Sequence, residues 1–194
     1  MPLLQVSVLS GYSDDIKLRL CQELTQTVSG VVDADPQGIS VWVHEVPRSA
    51  YTRAGQPRNA GPAPETHPRD LVLSYLAAMQ ARQLDQARNY LADDFTMTFP
   101  GGAVFTNLND LVEWSASRYR FVTKTIADTN VAYESDHIVV MCHGTLSGEW
   151  PDGSAFSDIR FLDRFELRSG KLTRQQVWND LALEQPGRNP TTQF

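Results

Sequence analysis

The sequence has 194 residues, a formal net charge of −6, and 41% hydrophobic and 21% charged residues. These are the proportions of a soluble globular protein built as one large or two small domains. The acidic balance, with no lysine or arginine cluster, argues against nucleic acid and anionic membrane surfaces as partners. No apolar run approaches the ~18–20 residues needed to cross a bilayer. Residues 1–9 lack the basic start and cleavage pattern of a signal peptide. The two cysteines, Cys21 and Cys142, have neither metal nor disulfide spacing, which fits reduced thiols and a cytoplasmic setting.

Leu4, Val6 and Val8 alternate with Gln5 and Ser7, the pattern of a strand with one buried face. Gly11 turns the chain, and Ser13 supplies a helix N-cap with Asp14 and Asp15 in the first turn. Ile16, Leu20, Leu24 and Val28 then predict an amphipathic helix ending near Gly30. A turn over 35–38 leads into a second strand, Ile39–Val46. Strand, helix and strand imply a parallel β-α-β unit. A unit this small buries too little surface to be secure alone, so homo-oligomerisation is expected. Pro2 carries separate interest. Removal of Met1 ahead of this small residue would leave a secondary amine, and an α-amine titrates near ~7.7–8.0, the range of a general acid or base at neutrality.

Residues 2–55 resemble the 4-oxalocrotonate tautomerase family. The resemblance rests on Pro2, the turn Leu9-Ser10-Gly11, Ser13-Asp14-Asp15 with Lys17, and Val41-Trp42-Val43-His44-Glu45. It implies a catalytic amino-terminal proline that moves protons on enol or keto acids, with Tyr51 at the family's active-site aromatic position. Arg53-Ala54-Gly55 echoes the family's glycine-bearing tail. The family's two substrate-binding arginines would fall at Tyr12 and Ser40, leaving Arg48 or Arg53 as replacement cations. His44 is read as a core or interface residue.

Residues 52–68 are rich in proline, glycine and alanine. The first domain is therefore placed at 1–58, an extended linker with a solvated His67 at 59–68, and a second domain at 69–181. Asp70 can cap a helix carrying Leu71, Tyr75, Leu76 and Met79. A short helix over 85–91 and a strand over 96–99 follow, the latter ended by Pro100-Gly101-Gly102, and then a third helix over 108–120. Strand-like runs at about 125–133, 138–150, 155–167 and 172–180 are joined by short turns, so they should pair antiparallel. The fold class is α+β: the β-α-β unit plus a cone-shaped curved antiparallel sheet with three helices. Residues 182–194 read as a loose polar tail.

The order of elements over 69–181 resembles the nuclear transport factor 2-like cone fold, which includes ketosteroid isomerases, scytalone dehydratase and SnoaL-like polyketide cyclases. The matching segments include Leu73-Ser74-Tyr75-Leu76-Ala77-Ala78-Met79, Tyr90-Leu91-Ala92-Asp93-Asp94-Phe95, Phe161-Leu162-Asp163-Arg164-Phe165 and Trp178-Asn179-Asp180. In ketosteroid isomerases the Asp163 position and the first-helix tyrosine, here Tyr75, form an oxyanion hole, while the aspartate base would fall at Phe99. Independently of that resemblance, strand alternation puts Asp163 on one face with Ile159, Phe161, Phe165 and Leu167. A lone carboxylate there favours its neutral form and can donate a hydrogen bond, or it is a satisfied buried carboxylate. His143 faces either the cone interior, as a replacement base, or the outer sheet surface.

The catalytic candidates are thus Pro2, Asp163 and Tyr75, and the substrate-binding candidates are Tyr51, Arg48, Phe99, Trp114, His143 and Trp178. No histidine and carboxylate set has metal spacing and no glycine loop suits a nucleotide, so no cofactor or metal is expected. The expected function is a cofactor-independent isomerase or tautomerase on a small keto/enol or cyclic apolar compound, acting through an enolate with Pro2 as acid and base. The alternative is a SnoaL-like cyclase, dehydratase or small-molecule binding protein whose first domain serves only assembly.

Overall fold

A computed structural model describes residues 1–184 and divides the chain into two units, Met1–Glu65 and a second that starts at Thr66. In the first, β1 (Leu3–Leu9) and β2 (Ser40–Val46) pair in parallel, with Leu3 opposite Ser40 and Leu9 opposite Val46. The crossover is α1 (Asp14–Val32), whose cap Ser13 accepts from the Ile16 N–H at 3.4 Å. The helix runs two residues past Gly30 and ends on Asp33 in the left-handed conformation. Lys17 reaches both Asp14 (2.8 Å) and Glu45 (3.2 Å), linking α1 to β2. A one-turn 3-10 helix (Arg48–Ala50) and a hairpin of β3 (Thr52–Arg53) and β4 (Gln56–Pro57) follow.

None of residues 1–65 is fully buried. The alternation along β1 and β2 gives half-buried Leu4, Val6, Val8, Val41 and Val43, whereas Leu3, Trp42 and His44 stay exposed. One sheet layer under one helix has a single covered face, which is why no core closes. Gly30 lies within α1 with nothing near its absent Cβ. Gly30→Ala is therefore expected to stabilise this unit by about 0.5–1 kcal/mol, read as a higher urea midpoint.

The segment expected to be linker is in part fixed. Tyr12 Oη accepts from the Gly61 N–H at 3.1 Å, Arg19 donates to the Pro64 carbonyl at 2.8 Å, and Ser13 Oγ donates to Glu65 at 3.0 Å. Residues 61–65 thus fold back on the start of α1.

The second unit opens with α2 (Pro68–Gln80). Its cap is His67 rather than Asp70: the imidazole Nδ1 accepts from the Arg69 N–H at 3.1 Å, and Pro68 occupies the first helical position, where a missing N–H costs nothing. Then come α3 (Leu84–Arg88), β5 (Leu91–Phe99), β6 (Ala103–Phe105) and α4 (Leu108–Ala116). Four long strands complete the sheet: β7 (Phe121–Tyr133), β8 (Ile138–Glu149), β9 (Ala155–Arg168) and β10 (Lys171–Asn179). Their order is β6-β5-β10-β9-β8-β7. The meander is antiparallel as expected, but β10 returns parallel to β5. Pro100-Gly101-Gly102 ends β5 as expected, and the sheet continues beyond it. The two glycines take positive φ and turn β5 into the short hairpin partner β6.

Tyr75, Met97, Phe165, Leu167 and Leu172 form the centre of the core beneath α2. Phe161, Asp163, Phe165 and Leu167 are all buried on one face of β9, as its alternation predicts. That same period sends the next residues outward. Trp178 on β10, Leu162 on β9 and His143 on β8 are laterally paired and all exposed, Trp178 by 50%. Trp178 and His143 are therefore not pocket residues. Cys142 takes the inward position opposite Asp163, and a strand cannot present two consecutive side chains to one face.

The sheet curls where β7 crosses β8. A Cβ on Gly144 would lie 2.0 Å from the Thr125 carbonyl oxygen, and one on Gly148 would lie 2.2 Å from that of Phe121. Only glycine permits this approach, and it sets the path of residues 121–125. The short helix α5 (Leu181–Glu184) buries Leu181, so the expected loose tail begins ordered. Its residues 185–194 lie outside the described residues.

Candidate functional site

The second unit encloses a cavity of about 310 Å³, within the size range of small-molecule sites. Tyr75, Leu76 and Met79 of α2 supply one wall, Leu111 and Ser115 of α4 another, and Phe99 closes the end of β5. Val122, Lys124 and Ile126 line it from β7, and Gln175 lines it from β10. A smaller space of about 40 Å³ adjoins it, bounded by Trp114, Arg118 and Phe161. Phe99, Tyr119, Val122 and Lys124 belong to both walls. The rings of Phe99, Phe105 and Trp114 pack edge-on or tilted at 5.3–6.1 Å, and Arg118 lies over Trp114 at 4.4 Å. Phe99 and Trp114 are thus pocket walls.

The polar groups form a chain. Tyr75 Oη donates to Gln175 Oε1 at 3.2 Å, and Gln175 Nε2 donates to Asp163 Oδ2 at 3.3 Å. This amide orientation is the consistent one, because the reverse would set an oxygen against the carboxylate. Lys124 Nζ forms an ion pair with the same Oδ2 and lies 4.6 Å from the Phe161 ring centre. The Asp163 side chain is 0% exposed and that of Lys124 21%. Asp163 Oδ1 has no hydrogen-bond partner among the described residues.

Of the two readings of Asp163, the arrangement matches the paired, buried carboxylate: its Oδ2 accepts two hydrogen bonds, and the residue stands behind Lys124 and Gln175 rather than on the cavity wall. Tyr75 does line the cavity, but its one proton is committed to Gln175, so it is no oxyanion donor. Burial, with the charge of Asp163 adding, pushes the Tyr75 phenol well above its ordinary value, so it stays protonated. The neighbouring Cys142 thiol is pushed up to about 12 by burial and by Asp163, against the opposing Lys124, and is no nucleophile at neutral pH.

Sequence reasoning missed Lys124 and Gln175. The signal for Lys124 was its two-residue spacing from Val122 and Ile126, which puts all three on one face and becomes visible once β7 is started at Phe121 instead of about 125. Gln175 shares a buried face with Val177, but a shift in register after Leu172 hides that period.

In the first unit, Pro2 is half-buried at the start of β1, with its carbonyl accepting from the Ser40 N–H at 3.1 Å. Met1 precedes it and is exposed. Arg48 lies two residues beyond Val46, and the Tyr51 N–H closes the same turn onto the Arg48 carbonyl. That turn follows the opposite end of the β1–β2 ladder from Pro2, roughly 20 Å away at 3.3 Å per residue. One chain therefore does not bring Arg48 to Pro2. Among the described residues, no group of three or more His, Cys, Asp or Glu side chains could hold a metal ion.

Two families match the chain: one described as a tautomerase enzyme over residues 2–60, and one described as a SnoaL-like domain over residues 72–175. A probable tautomerase of Ralstonia nicotianae is 34% identical over 70 residues, covering 36% of this chain and 96% of that protein. A 2-hydroxymuconate tautomerase of Comamonas testosteroni is 31% identical over 55 residues, covering 28% of this chain and 87% of that protein. The crystal structure of a nuclear transport factor 2-like protein from Burkholderia thailandensis superimposes with a TM-score of 0.51 at 16% identity, covering 61% of this chain and 94% of that one. That similarity identifies the fold of the second unit.

Proposed function

Because the chain belongs to the tautomerase family through residues 2–60 and to the SnoaL-like family through residues 72–175, we propose that it is a cofactor-independent enzyme moving protons on a small keto/enol compound. Pro2, freed by loss of Met1, takes a proton from the enol or from the carbon next to the carbonyl. The enolate that results receives that proton back at a different atom, so the step is neutral overall. The observation that carries this reading is Pro2 itself. It is where the tautomerase match begins, and its backbone is fixed to Ser40 at the end of a parallel ladder. The Comamonas relative's name supports an enol or keto acid as substrate.

Arg48 and Tyr51 can meet a substrate at Pro2 only from a second copy, and a unit without buried residues favours such association. The cone supplies a second ligand pocket, and two thiols without disulfide spacing suit a cytoplasmic setting. Pro2→Ala should fold normally and lose about 10²–10⁴-fold in enol–keto turnover of 2-hydroxymuconate. Undiminished turnover would overturn the proposal, as would an active preparation whose intact mass retains Met1.

A second reading rests on the hydrogen-bonded chain Tyr75–Gln175–Asp163–Lys124 beside an apolar cavity. There the cone performs a cyclase or dehydratase reaction and the first unit serves assembly. Blocking the amino terminus would then change nothing.

A further inference from the structure

The cavity of the second unit has an unusual charge pattern for a chain of net charge −6. Among the described residues, no aspartate or glutamate lines it or the smaller space beside it, while Lys124, Arg82 and Arg118 do. Lys124 stands on the wall common to both. Its counter-charge, Asp163, lies fully buried behind it. An ammonium has three N–H donors. Among the described residues one acceptor, Asp163 Oδ2, is hydrogen-bonded to Nζ, which leaves donors for whatever enters the cavity.

From this we infer that the cone cavity receives a planar, apolar monoanion, a carboxylate or an enolate, whose charged oxygen sits on Lys124 Nζ. The aromatic and aliphatic walls of Phe99, Tyr119, Leu76 and Val122 bury its ring body. Asp163 and Gln175 are positioning residues. The carboxylate holds the ammonium in place, and Gln175 holds the carboxylate while being anchored by Tyr75. The part of Lys124 is to stabilise negative oxygen.

This places the anion-stabilising role on a residue different from the Asp163 and Tyr75 pair expected from resemblance. It rests on the cone being a ligand pocket, part of the reading above, but not on Pro2. An amino-terminal variant that loses turnover while still binding the probes below would separate the two.

The test uses the full chain and two matched pairs of probes. Isothermal titration compares 2-naphthoate with 2-naphthalenemethanol, and the enolate of 2-hydroxy-1,4-naphthoquinone with its neutral methyl ether. At least one anion should bind about tenfold tighter than its neutral partner, the difference a charge-assisted hydrogen bond makes. Which pair shows it distinguishes carboxylate from enolate. In the charge-neutral double variant Lys124→Gln/Asp163→Asn the preference should vanish. Equal affinity within both pairs overturns the inference, and so does a preference that persists in the folded double variant. Should that variant not fold, acetic anhydride labelling of the unaltered chain decides. Saturating anion should protect Lys124, with Lys171 as reference, and an unprotected Lys124 overturns the assignment.

Discussion

Lys124→Met is expected to cost the second unit about 3–5 kcal/mol of folding stability, and Asp163→Asn added to it is expected to return most of that loss. The reason is the asymmetry of the pair. Asp163 has no exposure at all, and one of its oxygens already lacks a partner among the described residues. Removing the ammonium leaves a buried carboxylate with, among the described residues, only the Gln175 amide donating to it. The desolvation of that charge was offset mainly by Lys124, and one neutral amide does not replace it. Neutralising the carboxylate removes the penalty and keeps a side chain of similar volume. Urea unfolding of the three variants, arranged as a double-mutant cycle, measures it. A Lys124→Met protein as stable as the parent would mean that the pair is not formed in solution.

Gly144→Ala should destabilise the same unit by about 2–3 kcal/mol or more and should also weaken binding of the anionic probes. The added methyl group would meet the Thr125 carbonyl at 2.0 Å and the Ala127 nitrogen at 2.9 Å. Both are backbone atoms of β7, so no side-chain rotation relieves the clash and the strand must move. Thr125 is the neighbour of Lys124, and a displaced β7 carries the ammonium away from Asp163. The contrast with Gly30→Ala, which meets nothing, isolates steric approach from the general effect of losing a glycine. A Gly144→Ala protein with unchanged midpoint and unchanged probe affinity would contradict the curled path of β7.

The elements whose evidence lies in local pattern were readable. The first strand and helix, the four-strand meander and the inward face of β9 all follow from periodicity and capping, because each is set by residues near one another in the chain. The site was not readable in the same way. Asp163 was placed correctly on its face, yet its partner lies 39 residues away. The two are not ladder neighbours either: Asp163 is opposite Cys142, Cys142 is opposite Thr129, and Lys124 is opposite Leu146. Their meeting depends on the curl of the sheet, which comes from bulges and from two glycines that look like ordinary strand residues. The exposed Trp178 failed for a related reason, and His143 took the outer of its two possible faces. Residue type suggested a pocket for both, while the period of the strands placed them on the other face.

The hydroxyl of Tyr12 bears on any attempt to place a substrate-binding cation in the first unit. Tyr12 occupies a position where the resemblance to 4-oxalocrotonate tautomerases would put an arginine, and Tyr12→Arg is the obvious substitution. Here, however, that side chain already anchors the Gly61 N–H, next to the Arg19 and Ser13 bonds to Pro64 and Glu65. Tyr12→Arg would exchange an acceptor for a group that can only donate, and so release one of three ties on the returning segment. Adding a cation here is therefore a trade: it gives up the bond to Gly61. Excision of this unit has a matching rule: the cut belongs after Glu65, because a chain ended at residue 58 discards the Gly61, Pro64 and Glu65 partners of those three side chains.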